Sequence, residues 1–128
     1  MAKYLLDTTA LIDYLARRLK VVNLVKKLAR EGHSLGACCI NITELYSGLK
    51  EGERPQADRL IDSLLYYEVT REISKLAGNY RFVFARQGIA LSTADTIVAG
   101  TTIANEAILI TANKKDYPMD EIKILEQS

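Results

Sequence analysis

Asp7, Glu44, Asp95 and Asp116 are the side chains of this sequence best placed to do chemistry together, because each stands at or just beyond a short run that reads as a strand or its exit. Each also has a purely structural reading. Asp7 precedes a helical pattern and would serve as a cap. Asn41-Ile-Thr-Glu44 and Ser92-Thr-Ala-Asp95 both fit a capping residue followed three positions later by an acid. The group is harder to explain as caps than any single member. Carboxylates brought to about 4 Å repel by roughly 1 kcal/mol per pair in water and ~4 kcal/mol where partly shielded. Raised pKa values or a bound divalent cation resolve that repulsion, and all-oxygen ligands suit Mg²⁺ or Mn²⁺. Zinc fits poorly: His33 is the single histidine, and the adjacent Cys38 and Cys39 lack ligand spacing. A hard cation held by acids suits phosphodiester hydrolysis, since it activates water and neutralises charge on the phosphate.

The elements that must position these acids follow from periodicity. Residues 3–6 read as a buried strand ending on Asp7. Apolar residues at helical spacing follow over 10–17 and 21–30, as two short helices or one bent one, stopped by Gly32. Residues 34–40 read as a second short strand leading to Asn41, from which a helical period runs through Leu45 and Leu49. A helix over 54–64, a strand over 65–69, and a long helix from the cap Thr70 to about Gln87 come next. Residues 89–91 are too short for a strand, and an apolar helix then runs from Ser92 to about Asn105. A buried strand over 107–111, a polar loop over 113–118 and a last strand over 122–125 complete the chain. This alternation predicts an α/β fold: a three-layer α/β/α sandwich with a central, mostly parallel sheet of about five strands. All strand carboxyl ends then face one way, where such sheets form their sites.

Composition bounds the remaining possibilities. At 128 residues the chain fits a single domain over 1–128, with nearly half its residues hydrophobic and no low-complexity run. A net charge of +1 leaves any phosphate affinity to local clusters such as Arg17, Arg18 and Lys20, or Lys114 with Lys115, which read first as solvated faces. The adjacent cysteines read as reduced thiols, and His33 as a bystander. No run approaches the ~20 apolar residues of a bilayer span and no signal-peptide pattern opens the chain, so a cytoplasmic protein is expected.

Four stretches taken together resemble the PIN-domain family, and more narrowly its small VapC-type toxins: Leu5-Leu6-Asp7-Thr8-Thr9-Ala10-Leu11-Ile12-Asp13, Ile42-Thr43-Glu44-Leu45-Tyr46-Ser47-Gly48, Leu91-Ser92-Thr93-Ala94-Asp95-Thr96-Ile97-Val98-Ala99 and Leu109-Ile110-Thr111-Ala112-Asn113-Lys114-Lys115-Asp116-Tyr117-Pro118. The resemblance runs nearly end to end. It implies a metal-dependent endoribonuclease that cuts RNA to a 3′-hydroxyl and a 5′-phosphate, acts as a homodimer, and is neutralised by a VapB-type antitoxin. Asp7, Glu44 and Asp95 match the three acids with which the family holds Mg²⁺ or Mn²⁺. Many members carry an aspartate where Asn113 stands; others, like this chain, have asparagine there and an aspartate three residues on, which makes Asp116 the expected fourth acid and Asn113 an alternative polar contact. Thr9 and Thr111 stand where the family often has a hydroxyl near the metal or scissile phosphate, whereas Asp13 reads as surface polarity.

Rival readings make distinct demands. An aspartyl-phosphate enzyme with Asp7 as nucleophile would want a second aspartate two residues on, and Thr9 holds that place. The same acids would also serve a housekeeping RNA-processing nuclease. A catalytically inactive PIN-like binding module would have little reason to keep all three core acids.

Overall fold

The structure, a computed structural model, describes residues 1–127. In chain order it comprises β1 (Lys3–Leu6), α1 (Thr8–Leu15), α2 (Leu19–Arg30), β2 (Ser34–Cys38), α3 (Cys39–Ser47), α4 (Arg54–Asp62), β3 (Leu65–Tyr67), α5 (Arg71–Arg86), α6 (Thr93–Ala104), β4 (Ile108–Thr111) and β5 (Lys123–Glu126), with one 3₁₀ turn at Lys114–Asp116. The five strands form one sheet in the order β3-β2-β1-β4-β5, and every pairing is parallel. This is the α/β architecture expected from the alternation of strands and helices.

Strand alternation builds the two cores. Leu6 and Ile110 face one side with Leu11, Val21, Val25, Leu45 and Leu60, from α1 to α4. Leu5 and Leu109 face the other with Val98, Ala99, Leu91 and Tyr67. Neighbouring residues therefore feed opposite layers, and Leu5, Leu6, Leu11, Leu109 and Ile110 are wholly buried, each contributing about 1.5–3 kcal/mol relative to exposure.

Local chemistry sets the boundaries. Two separate helices follow β1 because Arg17 adopts a left-handed conformation at φ 61°, which ends α1 before α2 begins. Gly32 takes φ 86° and closes α2 as anticipated. The second strand stops at Cys38 rather than Ile40: Cys38 already caps α3, so Cys39 and Ile40 lie in the helix. The third ends at Tyr67, short of Val69. Thr70 caps α5 by accepting from the Ile73 amide at 3.2 Å. Gly36 makes room between β2 and β3, because a Cβ there would stand 2.6 Å from the Tyr67 ring and 2.7 Å from the Leu65 carbonyl oxygen. The Tyr67 hydroxyl crosses to the Tyr4 carbonyl at 3.3 Å. His33 has a structural role, its Nδ1 accepting from the Ala2 amide at 3.0 Å. Asp13 is more than surface polarity: it pairs with Arg18 at 3.3 Å and accepts from the Gln127 side-chain Nε2, tying α1 to the residue after β5.

The strand order places β1 at the centre. The chain leaves β1 for β2 and β3 on one side, then returns to β4 and β5 on the other. The crevice beyond the carboxyl ends of β1 and β4 is the switch point where open α/β sheets form sites.

Candidate active site

Asp7 is the first residue past β1, and its amide donates to the Ile110 carbonyl of β4 at 3.1 Å. Its carboxylate is both a cap and part of a cleft. Oδ1 accepts from the Ala10 amide at 3.0 Å, closing the first turn of α1, and from the Thr9 hydroxyl at 2.6 Å. Oδ2 accepts from the Thr111 hydroxyl and from the Tyr117 hydroxyl at 3.2 Å. Only 3% of Asp7 is exposed, so burial costs this anion its hydration and the four donors replace it. Thr9 and Thr111 are linked onward: Thr9 Oγ1 accepts from the Ala112 amide at 3.1 Å and Thr111 Oγ1 from the Asn113 amide at 2.9 Å. Start of α1 and end of β4 are thereby fastened through one carboxylate.

Glu44, on α3, accepts from the Thr8 hydroxyl and is exposed. The expected capping box of Asn41 with Glu44 is not formed. Because α3 starts earlier, Asn41 occupies its third helical position and reaches back to the Cys38 amide at 3.2 Å, which leaves Glu44 free to face Thr8. Ser92 does cap α6, accepting from the Asp95 amide at 3.0 Å. That turn holds Asp95 half-buried at the cleft. Asp116 and Asn113 lie at the 3₁₀ turn after β4, joined by an Asp116 amide to Asn113 carbonyl bond of 3.0 Å.

A single cleft of about 120 Å³ is lined by Asp7, Thr8, Thr9, Asn41, Glu44 and Asp95, with Val98, Asn113, Asp116 and Tyr117. All four acids singled out from the sequence meet there, and no basic side chain lines it. A larger groove of about 810 Å³ adjoins the cleft at Asn113 and Tyr117, and another of about 490 Å³ lies between α1, α2 and α4, but both carry cationic side chains in their walls. Charge of one sign, not size, marks the site.

The electrostatics register this convergence. Burial raises the Asp95 carboxyl above the ordinary carboxylate range, the Ser92 hydroxyl opposes that rise, and the negative charges of Asp116, Glu44 and Asp7 add to it. The Tyr117 hydroxyl is driven far up by burial and by Asp7 and Asp95, so it stays protonated and donates. Sequence reasoning missed Tyr117 and Thr8 as partners of the acids, although each is the immediate neighbour of one of them.

The donor chemistry fits a hard divalent cation: four carboxylates flanked by hydroxyl and amide oxygens, with no thiol or imidazole in the lining. Among the described residues no group of three or more His, Cys, Asp or Glu side chains is already drawn into ion-holding geometry.

Comparison with known proteins agrees with this architecture. The PIN domain profile matches residues 4–123. The chain is 25% identical over 115 residues to Ribonuclease VapC19 of Mycobacterium tuberculosis, spanning 90% of this chain and 92% of that one. Among solved structures it superposes on DNA-bound VapBC from Salmonella typhimurium with a TM-score of 0.86 at 18% identity, covering 100% of both chains. It superposes on VapBC2 from Rickettsia felis, bound to a promoter DNA fragment, with a TM-score of 0.85 at 21% identity, covering 97% of this chain and 98% of that one. With the fold, the profile match over nearly its whole length and the four acids at one switch point, the chain belongs to the PIN-domain family.

Proposed function

We propose that this chain is a divalent-metal-dependent endoribonuclease formed by one PIN domain over residues 1–128, and the toxin of a VapBC-type pair. The observation that carries the reading is the meeting of Asp7, Glu44, Asp95 and Asp116 in one cleft without a basic residue in its lining. Those four side chains would hold Mg²⁺ or Mn²⁺. When bound, such a cation supplies a strongly nucleophilic water at neutral pH and neutralises charge developing on the phosphate.

The chain's own residues do the positioning. Thr9, Thr111 and Tyr117 donate to Asp7 and fix both of its oxygens, as partners behind a metal ligand must. Thr8 steers Glu44 toward Asp7 from the next element. Asn113, exposed at the cleft mouth beside Lys114 and Lys115, lies where an RNA backbone would enter. The exposed lysines supply the local positive charge that a chain of net charge +1 otherwise lacks.

A VapB-type antitoxin is the proposed protein partner, supported by the solved relatives being VapBC complexes. A homodimer in the cytoplasm completes the reading; among the described residues no helix is long and apolar enough to cross a membrane. Incubation of a panel of single-stranded and structured RNAs with Mn²⁺ is expected to give discrete cleavage that EDTA abolishes and Asp7→Asn eliminates. Cleavage that persists in EDTA, or in the Asp7→Asn protein at saturating metal, would sink the assignment. Growth arrest on inducing this chain alone, relieved by Asp7→Asn, separates a toxin from a housekeeping nuclease.

A further inference from the structure

Asn41 is wholly buried, yet its side chain is only half satisfied. Its Oδ1 accepts from the Cys38 amide at 3.2 Å and from the Cys38 thiol at 3.3 Å. A backbone N–H can only donate, so this bond fixes which end of the amide faces the start of α3. The other end, Nδ2, has no hydrogen-bond partner among the described residues. Asn41 lines the same cleft as Asp7, Glu44 and Asp95, and it precedes Glu44 by three positions, on the same face of α3. The fold thus keeps an unpaired, solvent-shielded N–H donor in the wall of a cleft lined by acids and hydroxyls together with Val98 and Asn113. Buried donors are almost always paired, and one left open at a site points to an acceptor that arrives with a ligand.

Chemistry narrows that acceptor. An amide NH₂ group has no lone pair to offer a cation, so Nδ2 is not a metal ligand. None of the four cleft carboxylates accepts from Nδ2 in this structure, although Asp95 and Asp116 line the same cleft. The component still to enter an acidic nuclease cleft is an oxyanion, carried in by the same cation that the acids would hold. Resting on the nuclease reading above, we propose that Asn41 Nδ2 donates to a non-bridging oxygen of the substrate phosphate. Asn41 then has two separable jobs: Oδ1 closes the first turn of α3, and Nδ2 orients the phosphate beside the acids.

Two substitutions separate the jobs. Asn41→Asp keeps an acceptor for the Cys38 amide and deletes the donor. Asn41→Ser is neutral and too short to reach the phosphate. Calorimetric titration of the full chain with Mn²⁺ alone, then with thymidine 3′,5′-bisphosphate in the presence of Mn²⁺, reads metal and phosphate binding independently of turnover, and thermal melts check the fold. A donor to a charged acceptor predicts a loss of bisphosphate affinity of roughly tenfold or more in both variants. Mn²⁺ affinity should hold in Asn41→Ser and hold or rise in Asn41→Asp. Bisphosphate affinity unchanged in Asn41→Ser would assign the Asn41→Asp loss to charge repulsion and overturn the proposal. So would equal losses of Mn²⁺ and bisphosphate in Asn41→Ser, which would make Asn41 a support for the acids, or a wild-type chain that binds Mn²⁺ but no bisphosphate. A wild-type chain that binds neither removes the nuclease reading itself, an outcome distinct from each of these.

Discussion

The Thr111 hydroxyl, at the carboxyl end of β4, donates to Asp7 Oδ2 at the end of β1, joining residues 104 positions apart in the sequence. This bond sits at the point where the sheet order reverses, and it holds a buried carboxylate in one orientation facing Glu44 and Asp95 across the cleft. Removing the hydroxyl alone should therefore reach the chemistry. Thr111→Val is expected to lower Mn²⁺ affinity or RNA cleavage about 10–100-fold, the usual cost of losing a partner behind a metal ligand. Metal titration with cleavage assays at saturating Mn²⁺ would check it, and wild-type values in both would break the link between Thr111 and the site.

Asp7 carries a cap and a proposed metal-ligand position in one side chain, and asparagine is as good a cap as aspartate. Asp7→Asn is therefore expected to keep the α1 cap, and with it more thermal stability than Asp7→Ala, while Mn²⁺ binding and RNA cleavage are lost. Asp7→Ala should lose both, with about 1 kcal/mol of stability going with the cap. Comparing melts and metal titrations of the two variants tests this division.

Asp95 gives the metal-free protein a pH dependence. Burial raises its folded-state pKa above the unfolded value, with Asp116, Glu44 and Asp7 adding to the rise against the opposing Ser92 hydroxyl. Between those two values the native state binds the extra proton, so stability falls as the pH rises through that window. In EDTA, melting temperatures measured from about pH 4 to about pH 7 should decline more steeply in wild type than in Asp95→Asn. At neutral pH the metal-free Asp95→Asn protein should be the more stable of the two. Parallel pH profiles would show that Asp95 ionises without cost.

The two candidates for the fourth position differ in chemistry. Asp116 is half-buried and its charge acts on Asp95, whereas Asn113 is exposed at the cleft mouth. Asp116→Asn is expected to weaken Mn²⁺ binding by at least tenfold, comparable to loss of a metal-site group. Asn113→Ala should leave Mn²⁺ affinity unchanged and weaken RNA binding instead. The reverse pattern in calorimetry and RNA-binding assays would exchange their roles.

Gly36 tests the sheet that carries the site. A Cβ there meets the Leu65 carbonyl oxygen at 2.7 Å, and that oxygen is backbone, so strands β2 and β3 must part to admit it. Gly36→Ala should cost about 1–3 kcal/mol in urea unfolding, with the midpoint shifted and the slope unchanged. An unshifted midpoint would mean that the strand pair yields freely.

Much of this molecule is local and was legible in order along the chain. The capping bonds of Asp7, Thr70 and Ser92 each span three residues, so side-chain type and spacing are enough to anticipate them. Strand and helix alternation likewise gives the parallel α/β sheet, because period-2 and period-3.6 patterns are properties of single segments. Local rules also misled, most consequentially at Asn41. Asn41 and Glu44 have the spacing of a capping box, but Cys38 starts α3 three residues earlier and turns Asn41 inward.

Tertiary structure decided what the acids do. Asp7, Glu44, Asp95 and Asp116 share a cleft only because β1 lies at the centre of the order β3-β2-β1-β4-β5, so that loops and helix starts from distant segments open at one switch point. The bonds of Thr111 and Tyr117 to Asp7, the burial that raises Asp95 and the open donor of Asn41 are all properties of that convergence. Sequence alone determined which residues can donate, accept or carry charge. Their separation in space, and with it their repulsion, desolvation and pairing, depends on strand order, which no single segment encodes.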